Sequence, residues 1–215
     1  MGRTAVFGGS FNPTHLGHLL MADEMLERLD LDRVLFVPAA APPHKPPASL
    51  APVEARYAMV RLAVAGHPRF EVSDIELHRA GPSFTVDTLE ALHRSGDELF
   101  LLVGSETFLD LLSWRSPRRV VELARLVVVP RTGSAFDPDS AAAQKVLREV
   151  GAESFVGPGE LVTPRAVLVV HAASLPISSS DLRERARLGR SLAYRAPDAV
   201  IDYIHRRRLY AAGTA

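Results

Sequence analysis

The sequence predicts an α/β fold: a single Rossmann-like, doubly wound parallel sheet with helices on both faces. Three observations predict it. Short β-rich runs alternate with helical patterns along the whole chain, which is the signature of strand–helix–strand crossovers of right-handed sense. Several of the runs are apolar at consecutive positions, as strands covered on both faces must be. At 215 residues, with no internal repeat and no linker-like stretch, the chain is long enough for one sizeable core. It therefore reads as a single domain, residues 1–215, whose portion from about 177 to 210 is helical.

In chain order, strands are expected at Thr4–Phe7, Val34–Val37, Phe70–Ile75, Leu99–Val103, Leu126–Val129 and Val167–Val170. Helical patterns lie at Leu16–Leu29, Val53–Ala65, Thr85–Arg94, Pro117–Ala124, Ser140–Val150, Ser180–Leu188 and Pro197–Arg207. Two stretches read as loops. Pro38 to Pro52 is crowded with prolines, which forbid a regular helix or a central strand. The other comprises Arg131 to Ser140 and the Gly/Pro-rich Val156 to Pro164. In an open parallel sheet, ligands bind beyond the carboxyl ends of the strands, at a topological switch point.

Composition narrows the function. Lysine plus arginine equals aspartate plus glutamate, 25 each, so there is no global field for nucleic acid or an anionic membrane. Any anion site must be local. There is no cysteine, which removes disulfides, thiol nucleophiles and cysteine-based zinc sites together. The apolar runs are strand-sized, well short of the roughly 20 residues of a membrane span. The expectation is a soluble, cytoplasmic protein.

The chemistry gathers first at residues 7–18, FGGSFNPTHLGH. This stretch lacks the spacing of the dinucleotide fingerprint, and no Gly-Lys pair occurs anywhere for a P-loop. It is nevertheless a glycine-rich turn from strand to helix. Gly8 and Gly9 let backbone lie close to a ligand, and the turn's N–H groups, including those of Ser10 and Phe11, suit phosphate oxygens. Thr14 is the expected N-cap, with His15 and Leu16 opening the helix. His15 and His18, three apart, share a face where the helix dipole already favours anions. Gly17 costs about 1 kcal/mol against Ala within a helix, an expense that suggests something flat or bulky pressing on the backbone. The alternatives are a histidine that merely caps backbone, or a metal pair. The latter lacks a nearby third ligand of the Cys, Asp or Glu type, and no metal site is expected on the protein.

A second anion grip is Ile177-Ser178-Ser179-Ser180-Asp181-Leu182-Arg183. Serines at a helix start offer hydroxyl and N–H groups, and Arg183 falls on the face of Ser179 and Ser180. Taken alone, such a serine-rich cap followed by arginine is common.

Together GGSFNPTHLGH and ISSSDLR resemble the nucleotidyltransferases of the HxGH type and, among them, the bacterial nicotinate-nucleotide adenylyltransferases. The resemblance runs over nearly the whole chain. Further anchors are Pro42-Pro43-His44-Lys45, GPSFTVDTL at Gly81 to Leu89, Gly104-Ser105-Glu106, Ser113-Trp114, Val129-Pro130-Arg131, Tyr203-Ile204 and Leu209-Tyr210. It implies adenylyl transfer from ATP to nicotinate mononucleotide, on the route to NAD. It also implies roles. His18 would bond the α-phosphate, His15 the neighbouring phosphates, and Ser179, Ser180 and Arg183 the β- and γ-phosphates. Gly8, Gly9, Ser10, Phe11 and Gly17 would line the ATP path, and adenine would lie near Gly104, Glu106 and Arg131. The nicotinate ring would stack on Trp114 with its carboxylate near Thr85, and Asn12, His44 and Lys45 would meet the mononucleotide. Mg²⁺ would ride on the ATP phosphates. Against these roles, a single Trp is commonly core, and His44 and Lys45 in a Pro-rich loop are commonly solvated.

The chain departs from that pattern in three places. Glu106 and Asn12 stand where aspartate is usual, and Ser10 stands where threonine is. Residues 134–164 look longer than in similar sequences. Alternative readings are another HxGH adenylyltransferase, with nicotinamide mononucleotide or phosphopantetheine as acceptor, a cytidylyltransferase, or a non-catalytic nucleotide sensor. A sensor would be expected to carry a broken HxGH or ISSxxxR, and both are intact. A tRNA ligase fragment is disfavoured by size, neutral charge and the lack of a KMSKS-like loop. Oligomeric state is not legible in the sequence.

Overall fold

A computed structural model describes residues 2–43, 45–130, 133–160, 163 and 165–211. Among them are seven strands and eight α-helices: β1 (Arg3–Gly9), α1 (Leu16–Arg28), β2 (Arg33–Pro38), α2 (Val53–Val64), β3 (Phe70–Val72), α3 (Thr85–His93), β4 (Glu98–Gly104), α4 (Ser105–Leu109), α5 (Pro117–Leu123), β5 (Arg125–Val129), α6 (Ala141–Val150), β6 (Phe155–Val156), β7 (Val167–Val169), α7 (Ser179–Arg187) and α8 (Asp198–Arg206). Short 3₁₀ turns lie at Pro47–Ser49 and Leu111–Ser113. The chain forms two compact units and passes from one to the other within β1, α1 and β2, before α3 and after residue 173.

The first unit comprises residues 1–8, 24–34 and 84–173. Its strands lie in the order β1-β4-β5-β7-β6, and the pairs are parallel, as expected of an α/β sheet. Consecutive residues Leu99 to Val103 of β4 and Leu126 to Val129 of β5 are buried, so these strands are covered on both faces. Gly104 and Val129 are register partners, so the segments following β4 and β5 leave the sheet at the same edge. Helix α6 is bounded as its sequence dictates. The Ser140 hydroxyl accepts from the Ala143 N–H, and Gly151 at φ +78° closes the helix as the left-handed residue of a Schellman motif, with Ala152 N–H donating to Leu147 O. Phe108, Phe136 and Phe155 pack edge to face beside it.

The start of β1 is pinned by one carboxylate. Asp97 accepts from the Gly2 N–H at 3.1 Å, the Thr4 hydroxyl at 3.0 Å and Arg33 Nη2 at 2.9 Å. The Thr4 hydroxyl, with help from the Gly2 N–H and Arg33, holds the Asp97 carboxyl below its ordinary value. A carboxylate with a lowered folded pKa stabilises above its unfolded pKa, about 3.9, and that stability is lost as pH falls through the folded value. Asp97→Asn is therefore expected to lower the thermal midpoint near neutral pH, with the gap to wild type closing in acid. Melting curves at pH 7 and below pH 4 check this; a gap that persists in acid would show that the charge contributes nothing.

The second unit comprises residues 9–23, 35–83 and 174–215. It holds the remainder of β2, with β3 as its neighbour and Ser73 N–H donating to Phe36 O. Helices α2, α7 and α8 share an apolar cluster of Met59, Leu182, Leu192, Ala196, Val200 and Ile204. Leu182 is fully buried in it, which fixes the rotation of α7 and hence the direction of Arg183 beside it.

Most expected elements are found within two residues of their bounds. The strand beginning at Phe70 is shorter than expected, because the Ser73 hydroxyl takes the Ile75 N–H and turns the chain. Helix α4, strand β6 and the two 3₁₀ turns were not expected; the second of the two 3₁₀ turns and α4 follow β4 directly.

Candidate active site

The strand-to-helix turn at residues 9–18 belongs to the second unit. Helix α1 begins at Leu16, and the residue before it is the cap. The His15 carbonyl accepts from the His18 and Leu19 N–H groups at 3.0 and 3.4 Å. Thr14, the expected N-cap, does not cap the helix: its hydroxyl is buried and makes no hydrogen bond among the described residues. The side chain that serves the helix start is His18, whose Nδ1 accepts the His15 N–H at 3.2 Å. It occupies the third helical position, where the glutamate of a capping box would reach back.

That bond sets the chemistry of His18. With Nδ1 accepting, the neutral ring carries its proton on Nε2 and presents a donor there. The two imidazoles are stacked, with centroids 3.7 Å apart and an interplanar angle of 24°, as their spacing implied. The Phe11 ring meets His18 edge-on at 5.2 Å and is itself backed by Phe36. Phe11 takes φ +43°, in the left-handed region. Gly17 has the flat neighbour its cost implied, and it is His15: a Cβ at Gly17 would sit 3.1 Å from His15 Nδ1. A Cβ at Gly9 would meet the Phe11 ring at 3.2 Å, whereas one at Gly8, in the first unit, would meet nothing within 4 Å.

The two sequence motifs come together here. Ser179 Oγ donates to Pro13 O at 2.8 Å, and Arg183 donates to Asn12 O at 2.8 Å and to Ser180 Oγ at 3.3 Å. Ser178 is the N-cap of α7, accepting from the Asp181 N–H. The three serines thus do different things: one caps, one fastens the turn, one orients the arginine.

The Asn12 amide is a cross-link. Its Nδ2 donates to Ser49 O at 3.0 Å, and its Oδ1 accepts from Ala51 N–H at 3.0 Å and from the Tyr210 hydroxyl at 2.8 Å. Donating to a carbonyl is something the usual aspartate, ionised, does not do. Burial pushes the Tyr210 hydroxyl up, opposed by Arg183 and Arg56, so it stays protonated to donate.

Lys45 donates to Ser10 Oγ at 2.7 Å. Burial, then the neighbouring charges of Arg183 and Arg56, lowers its pKa. Three cations thus stand around one turn, an arrangement suited to a polyanion. Sequence reasoning missed Arg56. It is 1% exposed and is counted among the largest buried side chains of the described residues. Nε donates to Ala51 O, Nη1 to Ser10 O and Ala39 O, and Nη2 to Ala40 O, at 2.7 to 3.1 Å. The signal was present: a charged residue sits on the inward face of α2 between Ala55 and Met59.

The first unit holds Thr85, Gly104, Glu106 and Trp114. Thr85 opens α3 after Phe84, and Gly104 precedes α4, with Glu106 exposed in its first turn. Trp114 is half-buried and closes the 3₁₀ turn, its N–H donating to Leu111 O. The next residue, Arg115, lies 4.9 Å over the Phe84 ring and 3.6 Å from Asp87, which brings the Trp114 segment alongside the start of α3. A shallow groove of about 790 Å³ between α5 and α6 contains none of the expected site residues. His44 and Arg131 lie outside the described residues. Among the described residues, no three His, Cys, Asp or Glu side chains group as metal ligands, and no helix is long and apolar enough to cross a membrane.

The profile of the cytidylyltransferase-like family matches residues 6–185. A probable nicotinate-nucleotide adenylyltransferase of Geotalea uraniireducens is 42% identical over 214 residues, covering 97% of this chain and 98% of that one. One from Thermus thermophilus is 44% identical over 210 residues, covering 97% and 99%. The chain belongs to the nicotinate-nucleotide adenylyltransferase family. Among solved structures, nicotinic acid mononucleotide adenylyltransferase from Plasmodium falciparum, complexed with NaAD, superposes with a TM-score of 0.74 over 98% of each chain at 18% identity. At that identity the likeness speaks to fold, and it agrees with the Rossmann-like α/β class. Within this family, the paired imidazoles and the serine–arginine helix are the two motifs that the second unit fastens together.

Proposed function

We propose that the chain transfers the adenylyl group of ATP to nicotinate mononucleotide, giving nicotinate adenine dinucleotide and pyrophosphate in NAD biosynthesis. The observation that carries this is the pair of hydrogen bonds from Ser179 and Arg183 to the turn that bears His15 and His18. Family membership, through relatives of that name at 42–44% identity, supplies the acceptor.

A phosphate oxygen of the mononucleotide attacks the α-phosphorus of ATP, and the bond to pyrophosphate breaks in line. Both partners are anions, so positioning and charge stabilisation do most of the work. His18 donates from Nε2 to the α-phosphate as charge builds there, and His15 holds the neighbouring phosphates. Ser179, Ser180 and Arg183 take the β- and γ-phosphates, along backbone of Gly8, Gly9, Ser10 and Phe11 and past Gly17. Gly104, Glu106 and Arg131 serve the adenosine. Trp114 stacks on the nicotinate ring, Thr85 meets its carboxylate, and Asn12, His44 and Lys45 serve the mononucleotide phosphate. Mg²⁺ enters as part of the substrate, on the ATP phosphates. This reading treats residues 1–215 as one nucleotidyltransferase domain and places it in the cytoplasm, where its substrates are.

Pyrophosphate release tests it, with MgATP and, in turn, nicotinate mononucleotide, nicotinamide mononucleotide and phosphopantetheine. The highest kcat/KM is expected with the first. Highest turnover with phosphopantetheine would overturn the acceptor, and ATP binding without release for any acceptor would make the protein a sensor.

A further inference from the structure

We infer that Arg56 is a positioning residue for the phosphate turn: its buried guanidinium gathers the carbonyls of Ser10, Ala39 and Ala40 and so turns the opposite, N–H ends of those peptides away from itself, the one that follows Ser10 toward the anion. The inference rests on the adenylyl-transfer reading. It begins from an electrostatic difficulty: a loop that is to hold a polyphosphate must keep its carbonyl oxygens, which are partly negative, away from the anion. A trans peptide is planar, with C=O and the following N–H antiparallel. Fixing the direction of a carbonyl therefore fixes the direction of the next amide.

Five carbonyls of the turn meet this condition. Gly9 O accepts from Ala39 N–H, Asn12 O from Arg183, Pro13 O from Ser179, and His15 O from His18 N–H. Ser10 O, between the glycines and Phe11, is taken by Arg56 Nη1 at 2.9 Å. The neighbouring loop shows the consequence directly: Ala40 O points to Arg56 Nη2, while the Ala41 N–H on the other end of that peptide reaches the Ser83 hydroxyl at 3.0 Å. Four carbonyls converge on one side chain, and only a planar fork of five donors reaches them all; a lysine ammonium has three donors at a single point. Burying a charge in this way is costly unless its donors are met, and here Nε, Nη1 and Nη2 all have acceptors. Burial lowers the Arg56 pKa, opposed by the nearby carboxylates of Glu54 and Glu76, and a guanidinium is too basic to lose its proton in a protein. The charge therefore remains, and adds to those of Lys45 and Arg183.

The probe is inorganic pyrophosphate, the leaving group of the proposed reaction, bound to the full-length protein. Arg56→Lys is expected to keep its far-ultraviolet circular dichroism while its Kd for pyrophosphate rises about tenfold or more, the scale of losing preorganised donors. In Arg56→Ala, guanidinium at tens of millimolar is expected to recover binding where methylammonium does not. A filler of the core would behave otherwise: the variants would melt earlier, yet those that fold would bind pyrophosphate as wild type does, and that result would overturn the inference. If neither variant folds, amide resonances of wild type decide. Pyrophosphate is expected to move those of residues 10–15 most, and shifts confined to other segments would overturn it. Failure of the adenylyl-transfer reading is separately visible, as wild-type protein that binds neither pyrophosphate nor ATP.

Discussion

His18→Ala is expected to leave the fold standing and to lower turnover by roughly 10²–10³, the scale for removing one donor aimed at developing charge. Two observations argue for an effect of this size. The Nδ1 of His18 is engaged by the His15 N–H, so Nε2 is the donor. Its ring is held between His15 and Phe11, so it gives up little freedom when substrate arrives. The same substitution removes the acceptor from the helix start, which should cost about 1 kcal/mol of stability, as the loss of a cap does. Steady-state kinetics and a denaturation midpoint, measured together, separate the two. His18→Asn is a useful companion, since its carboxamide keeps an acceptor near the cap while losing the imidazole. If turnover in His18→Ala stayed within a few-fold of wild type, the imidazole would have no place in the transfer step.

Gly17→Ala is expected to lower turnover by roughly tenfold while leaving stability nearly unchanged. Two effects oppose each other in stability. Alanine favours a helix over glycine by about 1 kcal/mol. Against that, the new Cβ would lie 3.1 Å from His15 Nδ1 and 3.2 Å from its Cε1, tighter than ordinary contact. The ring must therefore move, and His15 is stacked on His18, so both imidazoles are displaced. The shift needed is a few tenths of an ångström, smaller than the misplacement of about 1 Å that costs roughly 10²-fold, so a loss of about tenfold is expected. The ratio of turnover to thermal midpoint is the diagnostic measurement. Loss of turnover with an unchanged midpoint supports the stacked pair as the working unit; unchanged turnover would mean that the pair need not keep this geometry.

Much of the fold could be read from residues alone, because buried parallel strands advertise themselves. Val34–Val37 and Leu99–Val103 are unbroken apolar runs, and the helices between them carry their own stops, such as Gly151 after α6. What escaped was local and context-dependent. Helix α4 is only five residues long and β6 only two, too short for any period to register. The cap of α1 escapes the sequence because threonine is a usual choice, whereas the structure uses an imidazole four residues later, a substitution that only the folded backbone reveals. The two anion motifs were legible as types, but their mutual fastening was not: Arg183 and Asn12 are 171 residues apart. Arg56 was hidden for the opposite reason. One arginine among the many of a neutral chain attracts no notice until its face of the helix is known to be inward.

The hydroxyl of Tyr210 closes on the carboxamide of Asn12 across 198 positions of sequence, and Ser179 reaches Pro13 across 166. During synthesis the turn emerges from the ribosome well before the groups that fasten it. A nascent chain that has not yet reached Ser179 therefore carries the histidines without their clasp. Contacts of such long span also delay closure of the site relative to the helices around it.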